Sequence, residues 1–350
     1  MIKQALKAAY LRSRAALLKP FYVAPAAAPE PRSLRRILVL RFDRIGDMVQ
    51  TTPLFEALKE EYPQARVSVL ASTANAPILD NNPFVDDVWV LPKRRRGRFL
   101  KELRDENEFD LLIDPFWNYD LEWPLVARKI RARHRIGLDI HGRGAFYDLR
   151  LPMNPRSLPA SEGVLDLCRR ALGREFASRE PKIYLKESER EDGKKLLAAH
   201  GVDLSRPLVL LHPGAYDRRN RWRAEGFAEV GAALAQDREI SALLIGSQGD
   251  EPLLRQAQAH RPEVRWLVAG SLRAFMGALA HARLFICNNS GPLHVAFALG
   301  VPTLSTVGPI DKTMWAPAGP RHATVERNPL DALGSDEVLA AAMRLLGALA

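Results

Sequence analysis

The sequence predicts an α/β protein built from two doubly wound parallel-sheet domains facing a cleft, and three observations predict it. Strand-sized apolar runs alternate with helix-sized segments along the chain, which is the pattern of βαβ units. At 350 residues with 47% hydrophobic content, the chain is long enough for two globular domains rather than one enlarged core. The strand-like runs also fall into two series of similar size, separated by two helical segments.

The first segment, MIKQALKAAYLRSRAALLKPF, is helical by propensity. Ile2, Leu6, Ala9, Tyr10 and Leu17 share one face, flanked by Lys3, Lys7 and Arg14, while Leu11 and Leu18 lie on the other side. Two readings stand side by side: a helix resting on an anionic membrane surface, or one packed on its own protein. Its scattered basic residues do not form a cleaved signal peptide. Pro25, Pro29 and Pro31 then make residues 24–31 a semi-extended linker. Residues 1–32 are thus a basic helix and a Pro/Ala-rich linker, and the globular part starts near Ser33.

Strand-like runs at 37–41, 66–71, 88–91, 110–114 and 135–138 place a first domain over 33–180. Helical segments at 162–172 and 187–200 lead to a second series at 208–212, 240–246, 264–267, 284–287 and 303–307, a second domain over 181–335. GSDEVLAAAMRLLGAL opens on Ser335 as an N-cap with acids behind it, giving a closing helix over 336–350. No internal sequence repeat is visible.

A formal net charge of +10 favours anionic partners. Cys168 and Cys287 read as packed, reduced thiols, not a disulfide framework or a zinc site. No apolar run approaches the roughly 18 residues that cross a bilayer. No recognition-helix motif or interleaved aromatic platform supports nucleic-acid binding. There is no G-x-x-x-x-G-K-[ST] and no G-x-G-x-x-G, so neither a P-loop enzyme nor a typical dehydrogenase fits. With no D-x-D triplet and no clustered His/Asp/Glu spacing, no obligatory metal and no cofactor are expected.

Five stretches carry candidate chemistry. In RFDRIGDMVQTTP, Gly46 removes bulk where the chain turns after a strand, and Asp47 stands at the mouth of the sheet. The alternative is that Asp47 only caps the following helix. LHPGAYDRRNRWRAEGF follows another strand with a flexible Pro213-Gly214 turn and then Arg218, Arg219, Arg221 and Arg223, whose guanidinium forks match diphosphate oxygens. Trp222 and Phe227 are expected beneath it. IGSQGDEP sets Asp250 and Glu251 where a carboxylate accepts from ribose hydroxyls or favours a helix start. In CNNSGPLHVAFALG, Asn289, Ser290 and Gly291 precede a helix whose first amides can hold an anion, with His294 one turn in. KRRRGR, 93–98, suits a phosphorylated acceptor or is a solvated loop.

In order along the chain, ILVLRFDRIGDMVQTTPLFEALKEEYP, LHPGAYDRRNRWRAEGFAEV, LIGSQGDE and NNSGPLHVAFALGVPTLSTVGP resemble the glycosyltransferase family 9 heptosyltransferases. The resemblance spans residues 37–320. It implies the GT-B fold of two Rossmann-like domains, with acceptor in the first and nucleotide-sugar in the second. It implies metal-independent, inverting transfer of a heptose, with ADP-heptose as the usual donor, to a lipid-linked oligosaccharide acceptor of the lipopolysaccharide core. On it, Asp47 matches the general base, and Asp250 matches the acid on the nucleotide ribose. Ser290, Gly291 and His294 match the loop and helix start around the donor diphosphate, which Arg218, Arg219 and Arg221 are placed to help hold. Gly46, Arg94 and Arg95 fall on the acceptor side.

Two positions depart from the family pattern. Asn220 stands where a lysine is usual, removing a cation near the phosphates, and Asn289 stands where an aspartate is usual, replacing a charged acceptor with an amide. The run 93–98 together with the basic N-terminal helix supports a cytoplasmic protein attached peripherally to the inner face of the cytoplasmic membrane. Two other readings remain open at this point: a transferase of the same fold using another nucleotide-sugar for a surface polysaccharide, and a non-catalytic relative binding a nucleotide-sugar or anionic lipid.

Overall fold

The computed structural model describes residues 2–154, 157–237 and 239–349, and the chain divides into two units, 1–180 and 181–350. In the first, β1 (Arg36–Arg41), β2 (Arg66–Ala71), β3 (Asp87–Val90), β4 (Phe109–Asp114), β5 (Ala132–Leu138) and β6 (Leu149–Leu151) form one sheet in the order β3-β2-β1-β4-β5-β6. Every pairing is parallel, with Ile37 between Val67 and Leu111. Ile37–Leu40 of β1 are apolar and buried, as the middle of an interior parallel strand covered on both faces must be.

Alternation along β1 sorts its side chains. Leu38, Leu40 and Phe42 enter a core with Leu100 and Leu103 of α3 (Arg96–Glu106) and Trp123 and Val126 of α4 (Glu122–Lys129). Arg41 turns instead under α2 (Ile45–Glu61), which packs with α5 (Ala160–Leu172).

The second unit repeats the plan. β7 (Leu208–His212), β8 (Ser241–Gly246), β9 (Trp266–Val268), β10 (Leu284–Asn288), β11 (Thr303–Val307) and β12 (His322–Glu326) pair in parallel in the order β12-β11-β10-β7-β8-β9. Around it lie α6 (Glu187–Ala199), α7 (Ala224–Gln236), α8 (Glu251–His260), α9 (Leu272–Leu279), α10 (Gly291–Ala298), α11 (Lys312–Trp315) and α12 (Ser335–Leu349). Leu211, Leu244, Ile286 and Leu304 share a core with Phe227 and Val230 of α7 and Val338, Ala342 and Leu345 of α12. Both sheets therefore have the same strand order without a visible sequence repeat.

Two expectations are corrected. Each sheet has a sixth, edge strand that the sequence did not disclose, β6 reading only LRL and β12 the half-exposed HATVE. Short, polar strands are how sheets blunt their edges, so they carry little apolar signal. The N-terminal segment is not set apart from the globular part. Helix α1 (Ile2–Leu18) lays Leu11 and Leu18 on the first unit, and Ala26 N–H in the linker donates to Asp148 O at 3.1 Å. Both cysteines are buried and unbonded, as expected.

Candidate functional site

In the first sheet the strand order reverses between β1 and β4, and open α/β sheets take ligands in the crevice at such a reversal. The RFDRIGD segment lies on it. Met48 N–H closes the first helical bond onto Arg44 O at 3.2 Å, so α2 begins at Ile45. Gly46 is thereby buried inside the first turn, not in the turn ahead of the helix where the sequence placed it.

Asp47 also sits in that first turn, partly exposed. The N-cap is Arg44, without a side-chain capping bond, so Asp47 is not the cap. Its backbone is held by Arg41, whose Nε donates to Asp47 O at 3.1 Å and to Thr51 Oγ1 at 2.8 Å, and by Thr51 Oγ1, which donates to Asp47 O at 2.8 Å. No side chain among the described residues hydrogen-bonds or pairs with its carboxylate. One turn on, Thr52 Oγ1 donates at 2.9 Å to Val49 O, the carbonyl that Pro53 leaves without a helical partner.

Beneath this turn lie groups that sequence reasoning missed. Arg41 is fully buried and pairs with Asp43 at 3.2 Å. Burial pushes the Asp43 carboxyl up to about 7, against the pull of Arg41 and helped by the charge of Asp47. Phe42 stacks on Trp123 with ring centroids 3.6 Å apart, and Phe116 stacks on Trp123 at 4.1 Å. The loop bearing Phe116 is gripped by buried Arg143, which donates to Phe116 O and Asn118 O at 2.6 Å each and to Asp114 Oδ2 at 2.8 Å. Tyr147 completes that buried cluster by donating to Asp114.

Arg94 and Arg95 lie in an exposed run ahead of α3, with Arg95 in the left-handed region at φ 59°. Among the described residues this run is tied to α4 through Arg96 and Glu122, not to the turn carrying Asp47.

The second sheet reverses between β7 and β10, and the expected donor motifs collect around that point. Asn288, at the end of β10, was not foreseen. Its Nδ2 donates to Pro213 O at 2.8 Å, and its Oδ1 accepts from Trp222 N and Thr306 Oγ1, both at 2.8 Å. Trp222 and Phe227 pack fully buried under the loop, as the sequence suggested. Pro213-Gly214 is not a flexible turn: a Cβ on Gly214 would run into the Asp250 carboxylate and the His212 ring, so glycine is there for close approach.

The four arginines of this loop are not equivalent. Arg219 turns back onto Asp217 at 2.7 Å, Arg221 donates to Ala215 O at 2.5 Å, and Arg223 pairs with Glu229 at 2.7 Å. These bonds fold the loop. Arg218 is the arginine of the set whose guanidinium makes no hydrogen bond or ion pair among the described residues.

Asp250 accepts from Ser247 N at 2.9 Å and Ser247 Oγ at 2.6 Å, and faces His212 Nε2 at 3.4 Å. Burial pushes its carboxyl up, but the His212 and Ser247 donors outweigh that and hold it well below the usual carboxylate range. Ser290 is the extended N-cap of α10, Gly291 and Pro292 open the helix, and His294 lies buried one turn on, its ring 6.0 Å from that of Trp315. Asn289 Nδ2 donates to Trp315 O at 3.3 Å, a bond that the usual aspartate could not make.

A family model described as Glycosyltransferase family 9 (heptosyltransferase) matches residues 96–333. Lipopolysaccharide heptosyltransferase 3 of Escherichia coli K12 is 28% identical over 339 residues, covering 86% of this chain and 95% of that one. A family 9 glycosyl transferase from Veillonella parvula superposes with a TM-score of 0.78 at 21% identity, covering 89% of this chain and 97% of that one. The E. coli ADP-heptose lps heptosyltransferase II superposes with a TM-score of 0.75 at 22% identity, covering 89% and 98%.

Proposed function

Because the chain belongs to glycosyltransferase family 9 and has its two-domain GT-B fold, we propose that it moves a heptose from ADP-heptose to a lipid-linked oligosaccharide acceptor of the lipopolysaccharide core, inverting the anomeric centre. The observation that carries this reading is the carboxylate of Asp47. It is fixed through its backbone at the β1/β4 reversal, and no protein side chain among those described engages it. The family match begins after Asp47, so its role rests on this geometry and on the RFDRIGD resemblance.

Asp47 takes the proton of the acceptor hydroxyl as that oxygen attacks the anomeric carbon. The bond from that carbon to the diphosphate breaks on the opposite face, and the nucleoside diphosphate leaves with the electron pair. Arg218 and the amide end of α10 beside Ser290 and Gly291 meet the charge that grows there. A cation and a helix start in this role support transfer that needs no metal ion. Asp250, ionised and held by Ser247 and His212, is suited to accept from ribose hydroxyls.

The donor reading is supported by the similarity to the E. coli ADP-heptose lps heptosyltransferase II. The reading puts the enzyme on the cytoplasmic side, where the membrane presents the acceptor. No helix among the described residues is long and apolar enough to cross a membrane.

Calorimetric titration of the full chain with ADP, UDP, GDP and CDP tests the donor, since α1 packs on the first unit and should not be removed. Selective ADP binding, followed by ADP release from ADP-heptose on adding core acceptor, is the expected result. Preference for another nucleotide would keep the transferase and overturn the heptose. Absence of any nucleotide binding would favour the non-catalytic relative.

A further inference from the structure

We propose that the outward face of α1 is a docking surface for an anionic phospholipid bilayer. The helix has two apolar faces, and the protein uses one of them. Leu11 is buried, Arg14 donates from Nε to His141 O at 3.0 Å and from Nη2 to Tyr119 O at 2.7 Å, and Tyr22 donates to Asp139 at 2.6 Å. Lys7 lies over the Tyr119 ring at 4.1 Å. These contacts fix which side of the helix faces out.

The side left out is large and apolar. Leu6, Tyr10 and Leu17 are 65%, 61% and 73% exposed, and the chain continues with Phe21 at 69% and Val23 at 52%. Such a face on a monomer marks an interaction site. Charge identifies the occupant: the segment before Glu30 carries Lys3, Lys7, Arg12, Arg14 and Lys19 and no acid. A second copy of the chain would bring the same charge against itself, whereas an anionic lipid surface attracts it.

A second basic feature is connected to the same corner of the first unit. Tyr119, which Lys7 and Arg14 touch, lies in the loop ahead of α4, and Glu122 in the first turn of α4 pairs with Arg96 of the exposed run 93–98. An amphipathic helix alone binds reversibly, and an adjoining polybasic run is the second signal that holds a protein at a membrane. The docking does not depend on which nucleotide-sugar is used.

Full-length protein should co-sediment with vesicles of equimolar dioleoylphosphatidylglycerol and dioleoylphosphatidylcholine and not with vesicles of dioleoylphosphatidylcholine alone. The triple variant Leu6→Ser, Tyr10→Ser, Leu17→Ser should bind the anionic vesicles about tenfold or more weakly, with its thermal midpoint and ADP binding unchanged. The pair Arg12→Glu, Lys19→Glu should weaken vesicle binding about tenfold and blunt its salt dependence. Unchanged sedimentation of the triple variant, or no sedimentation of the parent, would overturn the proposal. So would a parent dimer that becomes monomeric in the triple variant, because the face would then be a self-association surface. Loss of ADP binding in every sample with vesicle binding intact would count against the donor assignment alone.

Discussion

Asn288, the last residue of β10, donates its side-chain amide to the Pro213 carbonyl at 2.8 Å and so fastens the loop after β7 to the end of the neighbouring strand. Its other amide atom accepts from Trp222 N and Thr306 Oγ1, so one buried side chain satisfies three groups, two on the loop after β7 and one on β11. Asn288→Ala would strand all three. The expected cost is about 2–4 kcal/mol of stability, read by urea denaturation, together with weaker nucleoside diphosphate binding by calorimetry. Full stability in the variant would mean that the loop is held elsewhere.

Gly214 is the counterpart on the loop itself. A Cβ there meets the Asp250 carboxylate, whereas one on Gly249 would come no nearer than 3.7 Å to Ser247 Oγ. Gly214→Ala should lower stability by about 1–3 kcal/mol through overpacking, and Gly249→Ala should leave it within about 0.5 kcal/mol. Equal effects would place the role of Gly214 in chain flexibility, as the Pro-Gly dipeptide alone suggests.

Asp47 is held by its backbone, and no side chain among the described residues engages its carboxylate. Asp47→Asn preserves the shape and removes the proton acceptor, so turnover should fall about 10²–10⁴-fold, the range of general base catalysis. Nucleotide affinity, which the proposal assigns to the second unit, should stay the same. A variant that transfers sugar at the parental rate would require another base.

Asp43 makes a pH prediction with a definite sign. Its carboxyl is pushed up to about 7, chiefly by burial, with Arg41 and Arg44 opposing and Asp47 adding to the rise. Between about pH 4 and that value the folded chain keeps a proton that the unfolded chain has released, so stability falls as pH rises through this window. Below the window both states are protonated and the cost vanishes. Asp43→Asn cannot titrate, so its stability relative to the parent should improve by about 2–3 kcal/mol between pH 5 and pH 8. Denaturant midpoints at both values check this, and a constant difference would show that Asp43 is charged throughout.

What could be read in the sequence follows from how local each signal is. β1 and β10 are continuous apolar runs, and the motifs after them, RFDRIGD and NNSGPLH, are contiguous, so fold and candidate site were both visible there. Arg143 was not, because its partner Asp114 lies 29 residues away and no spacing rule joins them. The same holds for Asn288 and Pro213, 75 residues apart. Arginine spacing alone also left the four arginines of the loop equivalent, whereas Arg219, Arg221 and Arg223 bond Asp217, Ala215 and Glu229. In α1 the periodicity found an apolar face, but the helix packs through the other side, where Leu11 is buried and Arg14 bonds the His141 and Tyr119 carbonyls, partners more than 100 residues away that no local pattern discloses.

That inequality among the arginines gives a direct comparison of two neighbours. The Arg219 side chain is 83% exposed yet bonded to Asp217, which also caps the short turn by accepting from Arg219 N at 3.0 Å. Moving its guanidinium to a phosphate would break that pair. Arg218 has no such partner among the described residues, so its charge can meet a diphosphate without breaking an ion pair there. Arg218→Ala should therefore weaken ADP binding by about 1.5–3 kcal/mol, the worth of a hydrogen bond to a charged group, and flatten its salt dependence. Arg219→Ala should change affinity less than about threefold, near the low value of an exposed ion pair. The reverse ranking would mean that the loop rearranges on binding and that Asp217 releases Arg219 to the phosphates.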